Sequence, residues 1–201
     1  MKIENLKVTK EKLKFTLKDS TFAMANAIRR TMMIEVPTMA IDEIDFYENT
    51  SSMFDEYLAH RIGLIPLTTS DAYELAEDCC QGNCSKCSTM FTLDVQGPGT
   101  IYSKELKGKD DEVKPVFDNI PIIKLAEGQA IRLEAKAIAG RGKVHAKFQP
   151  CLASYTMQKS KDNVFDFEVE SFGNYKKPEQ ILEIALQVLQ DKVEELEKQI
   201  K

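Results

Sequence analysis

The sequence predicts an α+β fold, and three of its features do so. Apolar and polar residues alternate in short stretches from the N-terminus to about residue 170, the pattern of half-buried strands. Near the start, Phe22, Ala25, Ile28 and Met32 recur at three- and four-residue steps, which places them on one face of a helix. At the end, Leu182, Ala185, Leu189, Val193, Leu196 and Ile200 keep helical spacing for about 23 residues, a helix roughly 35 Å long.

A chain of 201 residues can bury a real core in one large or two modest domains. Hydrophobic residues make up 43% and charged residues 29%, as in ordinary globular proteins. Lys and Arg number 27 against 32 Asp and Glu, a formal charge of −5. That balance argues against broad, backbone-driven nucleic-acid binding, which needs a concentrated basic surface. Lys136, Arg141, Lys143 and Lys147 are a local exception and read as a solvated loop and strand edge. No apolar run reaches the roughly eighteen residues of a membrane span. MKIENLKVTKEKLKF lacks the apolar centre of a signal peptide, so the expected location is cytoplasmic.

Residues 1–18 predict two strands. Ile3, Leu6 and Val8 form the first apolar set. Leu13, Phe15 and Leu17 alternate with Lys12, Lys14 and Thr16 in the second, after a turn at Glu11 and Lys12. Asp19, Ser20 and Thr21 offer capping oxygens to the helix at Phe22, and Val36 before Pro37 ends that helix near Glu35. From Met39 to Tyr47, Ile41, Ile44 and Phe46 roughly alternate with Asp42 and Asp45, a strand with one wet face. A polar run to Ser52 stops it. Met53, Tyr57, Leu58 and Ile62 then share a helical face that Gly63 closes as a C′ residue. His60 and Arg61 fall late in this helix, where positive charge complements the dipole, and His60 reads as structural.

The order of residues in this region says more than their periodicity. AIRRTMMIEVPTMAIDEIDFYENTS followed by DEYLAHRIGLIPL resembles, over more than forty residues, the alpha-like subunit family of cellular RNA polymerases. The match is to the larger alpha-like subunits of archaeal DNA-directed RNA polymerases, with the eukaryotic third-largest subunits and the bacterial alpha N-terminal domain as their counterparts. The resemblance implies a transcription role in assembly. Members pair with a smaller alpha-like subunit and form the platform for the large catalytic subunits and the small assembly subunits.

Four of the five cysteines follow within nine residues, as Cys79-Cys80-Gln-Gly-Asn-Cys84-Ser-Lys-Cys87, with Gly82 and Asn83 permitting a tight turn. Such a cluster inside a cell suits a metal better than a disulfide framework, and four thiolates can enclose a tetrahedral, structural zinc. Disulfides, a metal-free loop and an iron–sulfur cluster are the alternatives. The resemblance favours zinc, because family members carry one cysteine, a one-residue gap, then C-x-x-x-C-x-x-C. Cys80, Cys84 and Cys87 match the run, but the leading position is Asp78 and the additional thiol is the adjacent Cys79. An inserted cluster-binding domain, as some archaeal relatives carry, would fall after the Cys151 region. Only a short turn over Gln158–Asn163 stands there, so no iron–sulfur cluster is expected.

Further on, Thr89–Val95 alternates as a strand and Gln96-Gly-Pro-Gly99 is a turn. Ile101, Tyr102 and Leu106 predict another strand. Gly108–Pro115 reads as an exposed loop, and Ile120–Leu125 and Ile131–Ala137 read as strands. Gly142-Lys143 invites a phosphate-loop reading that fails, since Val144 follows and the first glycine is misplaced. The segment instead resembles the family's G-x-G-x-x-H-A-K-W-x-P element, with Phe148 for Trp, which makes His145 structural. Cys151 reads as a small buried apolar residue. Cys151–Met157 and Val164–Glu170 are strands, and Pro178 with Glu179 opens the last helix.

The resemblance, joined to this pattern, implies a discontinuous dimerisation domain, residues 1–36 and 148–201. It is interrupted by a mostly β insert, residues 37–147, that carries the cysteine loop 79–87. Partner-facing residues are expected at Phe22, Ala25, Ile28, Met32, Leu182, Leu189, Val193 and Leu196. Arg29 and Arg30 lie about 100° apart on their helix, so one can pair with Glu35 while the other meets a neighbouring subunit. DNA would be met only through the whole complex. No catalytic residues are expected: Asp42, Asp45, Asp110 and Asp111 form no magnesium-holding constellation, and the two histidines lie in unrelated segments. The competing reading is a small zinc-stabilised nucleic-acid-binding or adaptor protein.

Overall fold

A computed structural model describes residues 1–70, 72–79, 84–157 and 163–200. Its first elements are β1 (Lys2–Val8), β2 (Lys12–Lys18), α1 (Phe22–Ile34), β3 (Pro37–Asn49) and α2 (Asp55–Gly63). The middle of the chain forms β4 (Ser88–Gln96), β5 (Gly99–Tyr102), β6 (Lys107–Gly108), β7 (Pro121–Leu125) and β8 (Ala130–Arg141). Two strands and a helix end it: β9 (Cys151–Met157), β10 (Val164–Ser171) and α3 (Pro178–Ile200). These elements form two units, Met1–Pro37 with Arg141–Lys201, and Thr38–Gly140.

The first unit is an antiparallel sheet of order β1-β2-β10-β9 under two helices. Alternation in β2 and β10 is matched by register, which sets Leu13 opposite Val169, Phe15 opposite Phe167 and Leu17 opposite Phe165. All six side chains are buried, and the Phe15 and Phe167 rings stack at 4.7 Å. The other face is wet, with Lys14 bridging to Glu168 at 2.9 Å and Thr16 donating to Asp166. Helix α1 starts where the Thr21 hydroxyl accepts the Met24 N–H at 3.2 Å, a cap worth about 1 kcal/mol. It ends at Glu35, as the Val36-Pro37 signal requires. Its buried stripe packs against β9 and the first half of α3.

Gly142 in the Ala139–Pro150 segment has a steric purpose. The Lys143 N–H donates to the Ile34 carbonyl at 3.0 Å, and a Cβ on Gly142 would lie 2.3 Å from the Met33 carbonyl oxygen. Close backbone approach, rather than phosphate binding, accounts for this glycine.

The second unit has a sheet of order β3-β8-β4-β6 and a β5-β7 ribbon. Phe91 faces Ala135 and Leu93 faces Leu133 across β4 and β8, and all four are buried with Ile41, Leu58 and Ile62. Three local expectations are corrected. Lys12 belongs to β2, because the turn is made before it. Leu106 is not in a strand; a 3-10 turn, Ser103–Glu105, ends β5 and swings Leu106 into the core. Gly63 is the last residue of α2 rather than its C′ residue, and Leu64 takes the C-cap. Among the described residues no helix is long and apolar enough to cross a membrane.

Candidate metal centre and partner surface

The cysteine loop is fastened to the end of the β4–β8 pair. Ala76 donates its N–H to the Ala139 carbonyl at 3.0 Å, and Ala139 donates to the Cys87 carbonyl at 3.3 Å. A turn of chain from Cys84 leads into β4, with the Cys84 carbonyl accepting Cys87 N–H, Ser88 N–H and the Ser88 hydroxyl. This backbone brings three thiols together. The sulfurs of Cys79, Cys84 and Cys87 all lie within 4.8 Å of one another. Cys79 and Cys84 are 3.5 Å apart and Cys84 and Cys87 are 3.7 Å apart.

Those separations are informative. A disulfide would bring sulfurs to about 2.05 Å. Four sulfurs at about 2.3 Å around a tetrahedral zinc are separated by about 3.8 Å along each edge. The two measured edges fit the second arrangement, so the cluster can hold a metal ion. Cys87 is buried and the other two are half-buried. Cys80, Gly82 and Asn83 lie outside the described residues, as do Gln158–Asp162, where the chain was expected to turn without an inserted domain.

The partner-facing residues named from the sequence divide. Ala25, Ile28, Met32 and Leu182 are buried in the chain's own core, because their stripe faces β9 and the neighbouring helix. Leu189 is partly buried against the same core. Phe22, Val193 and Leu196 are exposed, at 64%, 56% and 59%, and Ile200 is exposed as well. The sequence predicts β1 as a strand, but its residues were not among the expected partner-facing ones. Ile3 pairs with Leu17 and Val8 with Leu13, so both lie on the core face of the sheet, yet both remain exposed. The available signal was that β1 carries alternate apolar residues at one edge of a sheet whose two helices pack over other strands.

Glu35 pairs with Lys192 at 2.7 Å, and not with an arginine of α1. Arg29 turns to Asn26 one helical turn back, with its Nη2 donating at 3.0 Å. Arg30 is exposed. The local basic set also disperses, since Lys136 pairs with Glu43 while Arg141 and Lys143 direct charge at Glu35.

Asp110 and His145 have structural partners. Asp110 accepts the Tyr73 hydroxyl at 2.6 Å, and this bond, with one from the Glu112 N–H, holds its carboxyl below the usual range. His145 Nδ1 accepts the Lys147 N–H and caps a 3-10 turn, Ala146–Phe148.

Comparison with known proteins identifies the family. Residues 40–154 match the RNA polymerase Rpb3/RpoA insert domain. A protein of Methanocaldococcus jannaschii named DNA-directed RNA polymerase subunit Rpo3 is 45% identical over 190 residues, which is 94% of this chain and 91% of the relative. The chain belongs to the Rpo3 family of DNA-directed RNA polymerase subunits. The Rpo3 of Pyrococcus furiosus is 47% identical over 77% of this chain, and that of Natronomonas pharaonis 47% identical over 68%. The chain spans little more than half the length of these two, 58% and 51%. Archaeal Rpo3 proteins are named as polymerase subunits, and this kinship does not favour the alternative of a free-standing nucleic-acid-binding protein.

Proposed function

We propose that this Rpo3-family chain is a non-catalytic assembly platform, pairing with a smaller alpha-like subunit so that the catalytic and small assembly subunits can build on the pair. One observation carries the reading. The apolar stripe of α3 continues past the body of the first unit, and Val193, Leu196 and Ile200 keep its spacing while exposed. Hydrophobic burial supplies roughly 25 cal/mol per Å², so a helix that displays such a stripe is stabilised by a partner that covers it. The uncovered core face of β1 extends the surface with Ile3 and Val8. DNA is then met only by the assembled enzyme, and the site of action is the cytoplasm.

The cysteine cluster takes a structural zinc in this reading, held by Cys79, Cys84 and Cys87 with Cys80 as the fourth thiol. Bound zinc would supply a closed tetrahedral crosslink and no chemistry on a substrate. The residues' own part is to fix the loop against Ala139 at the end of β8.

The test is light scattering of the chain expressed with the smaller alpha-like subunit of the same source. Leu196→Asp and Val193→Asp should abolish a one-to-one heterodimer while leaving the lone chain's melting temperature nearly unchanged, because both side chains are exposed. Ile28→Asp should instead unfold the chain, since Ile28 is 2% exposed. A heterodimer that survives both α3 substitutions overturns the reading. Metal analysis of the purified pair tests the zinc, with one zinc per chain expected.

A further inference from the structure

We infer that Cys79 and Cys84 are a peroxide-labile pair, whose oxidation to a disulfide opens the metal centre while the sheet beneath it stays intact. The pairing follows from three observations about the thiols. Their sulfurs are in contact at 3.5 Å, the shorter of the two measured edges. Both are half-buried, so an oxidant of hydroperoxide size has access to them, whereas Cys87 is 0% exposed. Cys87 is also held by its backbone. Its N–H donates to Cys84, its carbonyl accepts from Ala139, and its sulfur lies 3.7 Å from the Cys84 carbonyl.

The chemistry balances with hydrogen peroxide as oxidant. One thiol of the pair attacks the peroxide oxygen, the O–O bond breaks, and a sulfenic acid and one water form. The second thiol attacks the sulfenic sulfur, the S–O bond breaks, and a second water leaves as the S–S bond closes. Two electrons pass from the two sulfurs to the peroxide. Thiolates, and not disulfide sulfurs, are the zinc ligands, so the step removes two ligands together. Exposed thiols poised beside a resolving thiol are the ones that oxidise in this way. Cys87 and its bond with Ala139 take no part, which leaves the β4–β8 register in place. A dithiol reductant then restores the pair.

Release of metal rests on the zinc reading above, but the pairing does not, and one experiment separates them. The full chain, loaded with zinc alone, is titrated with hydrogen peroxide while a chromophoric chelator records free zinc. Thiols are then alkylated and the chain is cut with trypsin, which cleaves after Arg61 and Lys86 and so parts Cys84 from Cys87. A disulfide between Cys79 and Cys84 stays within the Ile62–Lys86 peptide, which loses two hydrogens, and one zinc appears per disulfide. In Cys80→Ser the same loss should persist, and in Cys79→Ser it should vanish. Loss of two hydrogens in a chain that never bound zinc upholds the pair and overturns the zinc reading. Linkage of the two tryptic peptides through Cys87, a disulfide that needs Cys80, or zinc retained after excess peroxide overturns the inference. Circular dichroism checks that each variant is folded, and for a variant that is not, fragmentation of the wild-type peptide locates the bond instead.

Discussion

Lys192, in the middle of α3, places its ammonium 2.7 Å from the Glu35 carboxylate that closes the C-terminal end of α1. Glu35 is an unusual choice there, because a negative charge opposes the helix dipole. Three cations resolve the conflict. Burial pushes the carboxyl up, but the Lys192 hydrogen bond and charge, with Lys143 and Arg141 behind them, bring it below its ordinary value of 4.5. Since the folded value is depressed, the stabilisation is present above the unfolded value and is lost as pH falls through the folded one. Glu35→Gln should therefore cost about 1 kcal/mol near neutral pH, and the difference from wild type should shrink as pH is lowered below 4.5. Urea midpoints for both proteins across that range would check it, and a difference that grows in acid would contradict it.

Gly142→Ala should destabilise the chain by about 2 kcal/mol or more. The new methyl would meet the Met33 carbonyl oxygen at 2.3 Å and Ile34 Cα at 3.1 Å, both backbone atoms that cannot swing away. Thermal melting measures the loss. Gly128→Ala would be a poor control, since its φ of +78° penalises any side chain.

Cys151 is buried, and burial pushes its thiol up from 9.0 to about 12. It should resist alkylation at neutral pH in the folded chain and react once the chain is unfolded, because the thiolate is the nucleophile. The linkage runs opposite to that of Glu35. The folded chain keeps this proton, so its contribution is complete below 9.0 and is lost as pH rises towards about 12. Alkylation rates with and without denaturant, read by mass spectrometry, provide the test.

Arg61 anchors α2 to β7. Its guanidinium donates to the carbonyls of Ile122 at 2.9 Å and Pro121 at 2.8 Å. Arg61→Ala should cost about 1 kcal/mol, and Arg61→Lys should recover only part of it, because a single ammonium cannot match the two-pronged geometry. Denaturant unfolding of the three proteins would rank them.

Local signals were legible where the cause was local. The Thr21 cap, the Pro37 stop and the strand alternation of β2, β4 and β10 follow from short-range sterics and period. The cysteine spacing announced a metal-competent cluster for the same reason, since Cys84 and Cys87 share one turn of chain. Arg61 shows the limit. Its position late in α2 suggested a dipole role, but its partners lie about sixty residues away in β7.

Composition, period and motif order by themselves determined the α+β class, the family and a cysteine cluster able to hold a metal. Tertiary structure decided which apolar stripe is spent inside the chain and which is left outside. Ile28 and Leu196 sit at equivalent spacing on apolar helix faces, but Ile28 is 2% exposed and Leu196 is 59% exposed. Period identifies a face, and only the placement of sheet and helices determines whether anything in the same chain covers it.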